Sequence, residues 1–438
     1  MKIHFIGIGG IGISGLAQYM HFKGHTVSGS DIKDTLITQK LRTLGIKVTL
    51  PHSAAAINDQ DLVVHSAIIR PDNPEIVAAK EKGIEVLARR EALLQILDDR
   101  KVYAVAGAHG KSTTSAILAS IMKGSVIIGA ESKSFGSNVR YDKESDVLLF
   151  EADESDGSFI NSNPYCSIVV NAEPEHMEYY DYNYELFYAS YKTFIKSAKI
   201  KVLNAEDDFL STLHETTEDV KWLYPSKDIQ NIEYVIIDNE PYTKFTLKEF
   251  GTFNVWGFGE HIVLDASLAI LAAMESMSLQ DIKANLLTYK GIKKRFDIVG
   301  FEEKSVIIDD YGHHPTEIKA TLKSVKEYAL LKGFNKITAI WQPHKYSRTL
   351  DNLDAFISCF DGANELIILP VWGAGEIPKE IDFEDKFKTY NLTMADSITR
   401  DDNTITVVKD EKNLEVLNSG IIVGFGAGDI TYQIRGSK

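Results

Sequence analysis

Short apolar runs alternate with stretches of helical spacing along the first hundred residues. Positions 2–6, 25–27, 61–64 and 84–87 are the apolar runs, each of strand length. That alternation predicts a mostly parallel sheet covered by helices. A charged patch, Asp98-Asp99-Arg100-Lys101, precedes a new strand-loop-helix unit at 102–122 and sets an expected boundary near residue 100. A second α/β region runs to the glycine-led basic segment Gly291-Ile292-Lys293-Lys294-Arg295-Phe296, expected as a hinge. The chain restarts with a strand at 305–308 and alternates to its end, with no internal repeat and no low-complexity tract. The expected fold class is α/β, in three domains at 1–100, 101–296 and 297–438, each a mostly parallel sheet with flanking helices.

Three glycine loops follow apolar strands. The first is Gly7-Ile8-Gly9-Gly10-Ile11-Gly12, with Asp31 nineteen residues beyond the last glycine. It fits the dinucleotide fingerprint, in which glycines let backbone approach a pyrophosphate at a helix start. The pattern implies a diphosphate rather than a nicotinamide, because a UDP-linked sugar presents the same group. The second loop, Gly107-Ala108-His109-Gly110-Lys111-Ser112-Thr113-Thr114, joins a strand at 102–106 to a helix at 115–122. Lysine followed by a hydroxyl residue at a helix start is the phosphate-and-Mg²⁺ arrangement of nucleotide hydrolases. Amides cradle phosphates, Lys111 offsets charge on the transferring group, and the Ser112 hydroxyl is a candidate Mg²⁺ ligand. Val105 stands where the general spacing has glycine, so the loop is a shortened variant. The third loop, Gly424-Phe425-Gly426-Ala427-Gly428, is expected to be a tight structural turn, or at most a loop lining a neighbouring site. The first and last domains are therefore expected to be Rossmann-like, and the central one P-loop-like.

Polar clusters gather where strands end. A strand at 146–150 runs into Glu151-Ala152-Asp153-Glu154-Ser155-Asp156, and the next, at 167–170, into Asn171-Ala172-Glu173-Pro174-Glu175-His176. Carboxylates past a strand downstream of a phosphate loop are where α/β nucleotide sites place metal ligands. In the last third, 306–308 lead into Asp309-Asp310-Tyr311-Gly312-His313-His314-Pro315-Thr316-Glu317, and 337–341 into Gln342-Pro343-His344-Lys345-Tyr346-Ser347-Arg348. A guanidinium such as Arg348 suits a small substrate carboxylate.

Composition narrows the class. The 438 residues are 44% hydrophobic and 25% charged, as expected of a globular chain of two or three domains. A net charge of −15 argues against a nucleic-acid binder. No apolar run is long enough for a bilayer span, since the best candidate, 262–274, contains Asp265. The start of the chain lacks a signal-peptide cleavage region, and two cysteines cannot form a disulfide framework. A cytoplasmic enzyme without membrane insertion is expected; oligomeric state is not encoded legibly.

Taken in order, these segments resemble the Mur ligase family of peptidoglycan synthesis. The matching stretches are 7–17, 107–114, 151–156 with Ser158 and Phe159, 171–180, 291–296, 309–318, 344–348 and 426–430. The resemblance implies a UDP-sugar domain, a central ATPase domain and a carboxyl-terminal domain with amino-acid contacts. It also implies ATP and Mg²⁺, with Mn²⁺ as an alternative metal. Within the family the segments are most similar to members that phosphorylate the lactyl carboxylate of UDP-N-acetylmuramate and pass the acyl group to L-alanine. By that resemblance Ser112, Glu154 and His176 hold the metal, and Gly107, His109, Gly110, Lys111, Ser112, Thr113, His261, Arg295 and Asp310 hold ATP. Gly9, Gly10, Ile11, Gly12, Asp31 and Ser66 take the UDP-sugar, Tyr311, His313 and Arg348 the amino acid, and Lys111, His313 and Arg348 are the catalytic set. Three motifs depart from the family pattern. His-Asn-x-x-Asn, used for adenine, is here His261-Ile262-Val263-Leu264-Asp265; the threonine after the loop lysine is Ser112; and the arginine of His-Arg-Tyr is Lys345. A relative that joins a recycled tripeptide to the same UDP-sugar is the alternative. A nicotinamide-dependent oxidoreductase, the reading of the first loop alone, leaves Gly-Lys-Ser and the carboxylates without a use.

Overall fold

The computed structural model describes residues 1–97 and 99–436, so Asp98 of the charged patch and the last two residues lie outside the described residues. Two compact units are present. The first is Met1–Asn231, Phe245–Val255 and His261–Lys290; the second is Ile232–Lys244, Trp256–Glu260 and Gly291–Lys438.

The first unit holds two sheets. Strands β1 (Lys2–Ile6), β2 (Thr26–Ser30), β3 (Lys47–Thr49), β4 (Leu62–His65) and β5 (Glu85–Ala88) lie in the order β3-β2-β1-β4-β5, all parallel. The order reverses between β1 and β4, and at such a switch point the carboxyl ends of strands open a ligand crevice. The second sheet contains β6 (Lys101–Ala106), β7 (Ser125–Ser132), β8 (Ser137–Arg140), β9 (Val147–Glu151), β10 (Cys166–Val169), β11 (Ile200–Asn204) and β12 (Val220–Leu223). Its order is β12-β11-β10-β6-β9-β7-β8, parallel except where β8 pairs antiparallel with β7. β6 is central and buried beyond Lys101, which is why its run Val-Tyr-Ala-Val-Ala has no polar alternation. The loops after β9 and β10 thereby flank the loop after β6 at one sheet edge.

Strands β13 (Ile229–Ile237), β14 (Glu240–Leu247) and β15 (Thr252–Trp256) form a small sheet that the alternation did not predict. The second unit then carries β16 (Asp297–Phe301), β17 (Ser305–Asp310), β18 (Ile337–Trp341), β19 (Glu365–Ile368), β20 (Leu392–Met394), β21 (Ser397–Asp401), β22 (Thr404–Lys409), β23 (Lys412–Leu417) and β24 (Gly420–Phe425). The main sheet runs β16-β17-β24-β18-β19-β20, parallel apart from β16. β24 lies between β17 and β18, so the last strand of the chain brings the two polar clusters of this unit side by side. β21, β22 and β23 make a separate antiparallel sheet.

Two predicted strands extend further than expected, because Asp309, Asp310, Gly424 and Phe425 continue the β17–β24 ladder. The helix after the phosphate loop starts at Lys111 rather than Ser115, since Gly110 adopts φ 82° and turns the chain into it directly.

Candidate active site

The phosphate loop is built as a cradle already filled by its own side chain. Gly110 caps the helix Lys111–Ile121 in the left-handed region. From that helix start Lys111 folds back, donating to the carbonyls of Gly107 (2.5 Å) and Ala108 (3.3 Å) and to Glu154 Oε1 (2.9 Å). The Ser112 hydroxyl donates to Glu151 Oε1 at 2.8 Å, and the Gly129 amide donates to Glu151 Oε2 at 2.7 Å. Burial raises both Glu151 and Glu154; the Gly129 amide and the Ser112 hydroxyl oppose it at the first, Lys111 at the second. Asp153 goes the other way: burial works to raise it, but Arg89 and the Ser155 amide outweigh that. The Asn171 side chain clamps His109 by both backbone groups, at 3.1 Å each. Thr113 lies in the first turn of the same helix.

Glu154, Glu175 and His176 bring ligand atoms within 4.8 Å of one another. Both oxygens of buried Glu154 lie 2.9 Å from the Lys111 ammonium. His176 is held at φ 52°, an uncommon conformation for a residue other than glycine. Two carboxylates and one imidazole fit a hard divalent cation, Mg²⁺ by the oxygens and Mn²⁺ also by the nitrogen. Ser112 points instead at Glu151, as described above.

At the first glycine loop, four amides are occupied: Gly7 and Ile8 donate to the Ser30 carbonyl (2.9 and 3.0 Å), Gly9 to Asp31 Oδ2 (2.8 Å) and Gly10 to the Gly7 carbonyl (3.1 Å). Asp31 therefore orders the loop with one oxygen and takes the Ile32 amide with the other (2.7 Å). The amides of the first turn of helix Ile11–Phe22, which no helix can satisfy internally, are the donors on offer to a diphosphate. Ser66 flanks the loop from the end of β4, its amide bonded to the Ile6 carbonyl (3.1 Å). Between this loop and the phosphate loop lies a cavity of about 220 Å³, lined by Ile11, Gly12, Arg89, Lys111, Glu151 and Asp153 among others.

Asp265, from the segment His261-Ile262-Val263-Leu264-Asp265, packs under the phosphate loop. A Cβ on Gly110 would lie 2.5 Å from its Oδ1, and burial pushes the carboxyl up to about 8, opposed by the Thr114 hydroxyl. His261 sits in the first turn of the helix Glu260–Ala273.

In the second unit the strand ends of β17 and β18 gather Tyr311, His313, His344 and Arg348. The rings of Tyr311 and His313 are 5.3 Å apart and those of His313 and His344 5.8 Å. His313 Nδ1–H donates to the Tyr311 carbonyl (3.1 Å), which leaves Nε2 as the basic atom. Arg348 donates to His344 Nδ1 (3.1 Å). Burial, with His313 and Arg348 beside it, pushes His344 down to about 4. Arg295 pairs with Glu317 (3.0 Å); burial works to raise Glu317, but Arg295 and the His313 amide hold it down at about 2. Asp310 accepts from the Phe296 amide (2.8 Å), the Gly312 amide (2.8 Å) and Thr321 (3.2 Å), so it shapes the turn that presents Tyr311 and His313. Asp309 is committed to Thr431 (2.7 Å) and Arg435 (2.6 Å).

Lys111, Ser112, Glu154 and His176 thus lie around one sheet edge in the first unit, and Tyr311, His313 and Arg348 around one in the second. Glu151, Glu175, Asn171 and Arg89 were not singled out by sequence. The first three stand in the acidic and Asn-led clusters already noted; Arg89 carried no local signal.

The chain matches the Mur ligase family catalytic domain over residues 2–101 and the Mur ligase glutamate ligase domain over residues 294–414. It is 55% identical over 435 residues to the UDP-N-acetylmuramate–L-alanine ligase of Campylobacter curvus, covering 99% of each chain. It is 50% identical over 438 residues to the enzyme of the same name from Helicobacter pylori strain P12, covering 99% of this chain and 96% of that one. Among solved structures, the UDP-N-acetylmuramate-alanine ligase of Thermotoga maritima superposes with a TM-score of 0.80 at 27% identity, covering 99% of this chain and 97% of that one. A murein peptide ligase from Psychrobacter arcticus shares the fold at TM-score 0.64 and 20% identity, covering 100% and 99%.

Proposed function

This chain belongs to the Mur ligase family, and from that premise we propose that it joins L-alanine to the lactyl carboxylate of UDP-N-acetylmuramate at the expense of ATP. It is an ATP-dependent amide-forming ligase of peptidoglycan precursor synthesis, acting on small molecules. The observation that carries this reading is Lys111 at a helix start, pinned between loop carbonyls and the buried Glu154. The tripeptide alternative has only a likeness of fold behind it.

The reaction proceeds in two balanced steps. A carboxylate oxygen of the sugar nucleotide displaces ADP from the terminal phosphorus, giving an acyl phosphate. The amine of L-alanine, having lost a proton from its ammonium form, adds to the acyl carbon, and the tetrahedral intermediate expels inorganic phosphate. Phosphoryl transfer asks a protein mainly for position and charge. Lys111 supplies the charge, moving from Glu154 to the transferring phosphoryl oxygens, while Gly107, His109, Gly110, Ser112 and Thr113 form the loop around the phosphates. Glu154, Glu175 and His176 would hold Mg²⁺, which neutralises phosphate charge when bound. Gly9, Gly10, Ile11, Gly12, Asp31 and Ser66 frame the UDP-sugar. Arg348 takes the carboxylate of L-alanine, His313 Nε2 accepts the ammonium proton, and Tyr311 borders the same pocket. His261, Arg295 and Asp310 serve the nucleotide, directly or by ordering their loops. In this division residues 1–100 take the sugar nucleotide, 101–296 ATP and 297–438 the amino acid. A reaction fed by ATP and a nucleotide sugar belongs in the cytoplasm.

The test is ADP release with UDP-N-acetylmuramate and, in turn, L-alanine, glycine, L-serine or the tripeptide. L-Alanine is expected to give the highest kcat/KM; turnover with the tripeptide alone would overturn the acceptor, and turnover with none the reaction. Lys111→Ala should abolish ADP formation while leaving UDP-N-acetylmuramate affinity within about twofold, because its charge serves the phosphoryl group.

A further inference from the structure

Arg89 carries a guanidinium that none of these roles uses. It opens the helix Arg89–Leu97 directly after β5, and its side chain is only 16% exposed. Nη2 donates to Asp156 Oδ1 (3.1 Å) and Ser158 Oγ (2.7 Å), with Asp153 at 3.7 Å. Nε is buried without a hydrogen-bond partner, and no acceptor among the described residues takes Nη1. Nη1 lies over Gly12, where a Cβ would collide with it. The side chain therefore reaches from the first turn of helix Ile11–Phe22 to the loop after β9, across the wall of the cavity that Lys111 also lines.

A buried donor without an acceptor is costly, so its persistence points to an acceptor that arrives with a ligand. The sugar nucleotide has two anionic parts. Its diphosphate has the amides at the start of helix Ile11–Phe22, whereas its carboxylate must come to the phosphate loop through this cavity. Lys111 is a point charge already facing Glu154, while a planar guanidinium matches a carboxylate fork to fork. Asp156 and Ser158 fix the guanidinium from the side of the β9 loop, so it needs no ordering when the acid arrives.

We infer that Arg89 is a specificity-determining residue that binds the lactyl carboxylate of the donor and holds it for phosphorylation; the inference rests on the ligase reading above. Arg89 is then what distinguishes an acid-bearing UDP-sugar from a neutral one.

Calorimetric titration of the full chain with UDP-N-acetylmuramate and with UDP-N-acetylglucosamine tests it, because both carry the same diphosphate and only the first carries the acid. Arg89→Met should weaken UDP-N-acetylmuramate binding about 10- to 100-fold and leave UDP-N-acetylglucosamine within about twofold, the loss expected for one charge-assisted contact. Arg89→Lys keeps a cation beside Asp156 but loses the fork, and should show the same selective loss at smaller size. An equal loss for both ligands would assign the guanidinium to the diphosphate or to the fold and overturn the inference, as would no loss for either. Failure of the ligase reading is separately visible: wild-type protein would then release no ADP with UDP-N-acetylmuramate and L-alanine.

Discussion

Replacing Asp265 with asparagine should stabilise the protein, and by more as pH rises. Its carboxyl is 3% exposed and pushed up to about 8, from the usual 3.8, by burial against the phosphate loop, with the Thr114 hydroxyl as the opposing influence. Between those two values the native protein keeps a proton that the unfolded chain has released. The native state binds more protons there, so stability must fall with rising pH across that window and level off above the folded value. Each pH unit in the window removes about 1.4 kcal/mol, which amounts to about 4 kcal/mol by pH 7. Asparagine has nearly the same shape and does not ionise, so the variant escapes this loss. Urea unfolding followed by circular dichroism at pH 5, 6, 7 and 8 measures the difference directly. The gap between variant and wild type should widen steadily by roughly 1.4 kcal/mol per unit up to about pH 8. A gap that does not change with pH would mean that native Asp265 is ionised, and would refute the reasoning.

Two other outcomes follow from the site geometry. Glu154→Gln leaves the Glu175–His176 pair without its buried anionic oxygen, so the Mg²⁺ concentration for half-maximal ADP release should rise on the order of tenfold or more; an unchanged metal requirement would move the metal elsewhere. Arg348→Lys loses both the planar fork and the 3.1 Å contact to His344 Nδ1, and should raise KM for L-alanine about 10- to 100-fold with a smaller change in KM for ATP. Steady-state kinetics with each substrate varied separates the two, and equal rises would deny Arg348 a specific ligand.

Local patterns in the chain carried much of this. β1 occupies residues 2–6 and β18 residues 337–341, as their apolar runs predict. Lys111 and Ser112 stand just past one apolar strand, the acidic cluster with Glu154 past a second and the segment ending in His176 past a third, and the sheet order β10-β6-β9 puts those strand ends side by side. The pattern failed where a side chain's partner is distant. Arg89 meets Asp156 across 67 residues and Asp309 meets Thr431 across 122, and nothing near either residue announces it. The parts of Asp309 and Asp310 separated once β24 and the turn at Phe296 were placed beside them: one braces Arg435, the other shapes the Tyr311–His313 turn.

The sequence by itself determined where strands end, where glycine must turn the chain, and which reactive side chains stand at those ends, because periodicity and backbone freedom are properties of neighbouring residues. Tertiary structure alone decided which strand lies beside which, and with that the neutralising partner of Lys111, the burial of Asp265 and the open face of Arg89. Burial and pairing set the charge state of such groups, and both depend on contacts between segments far apart in the chain.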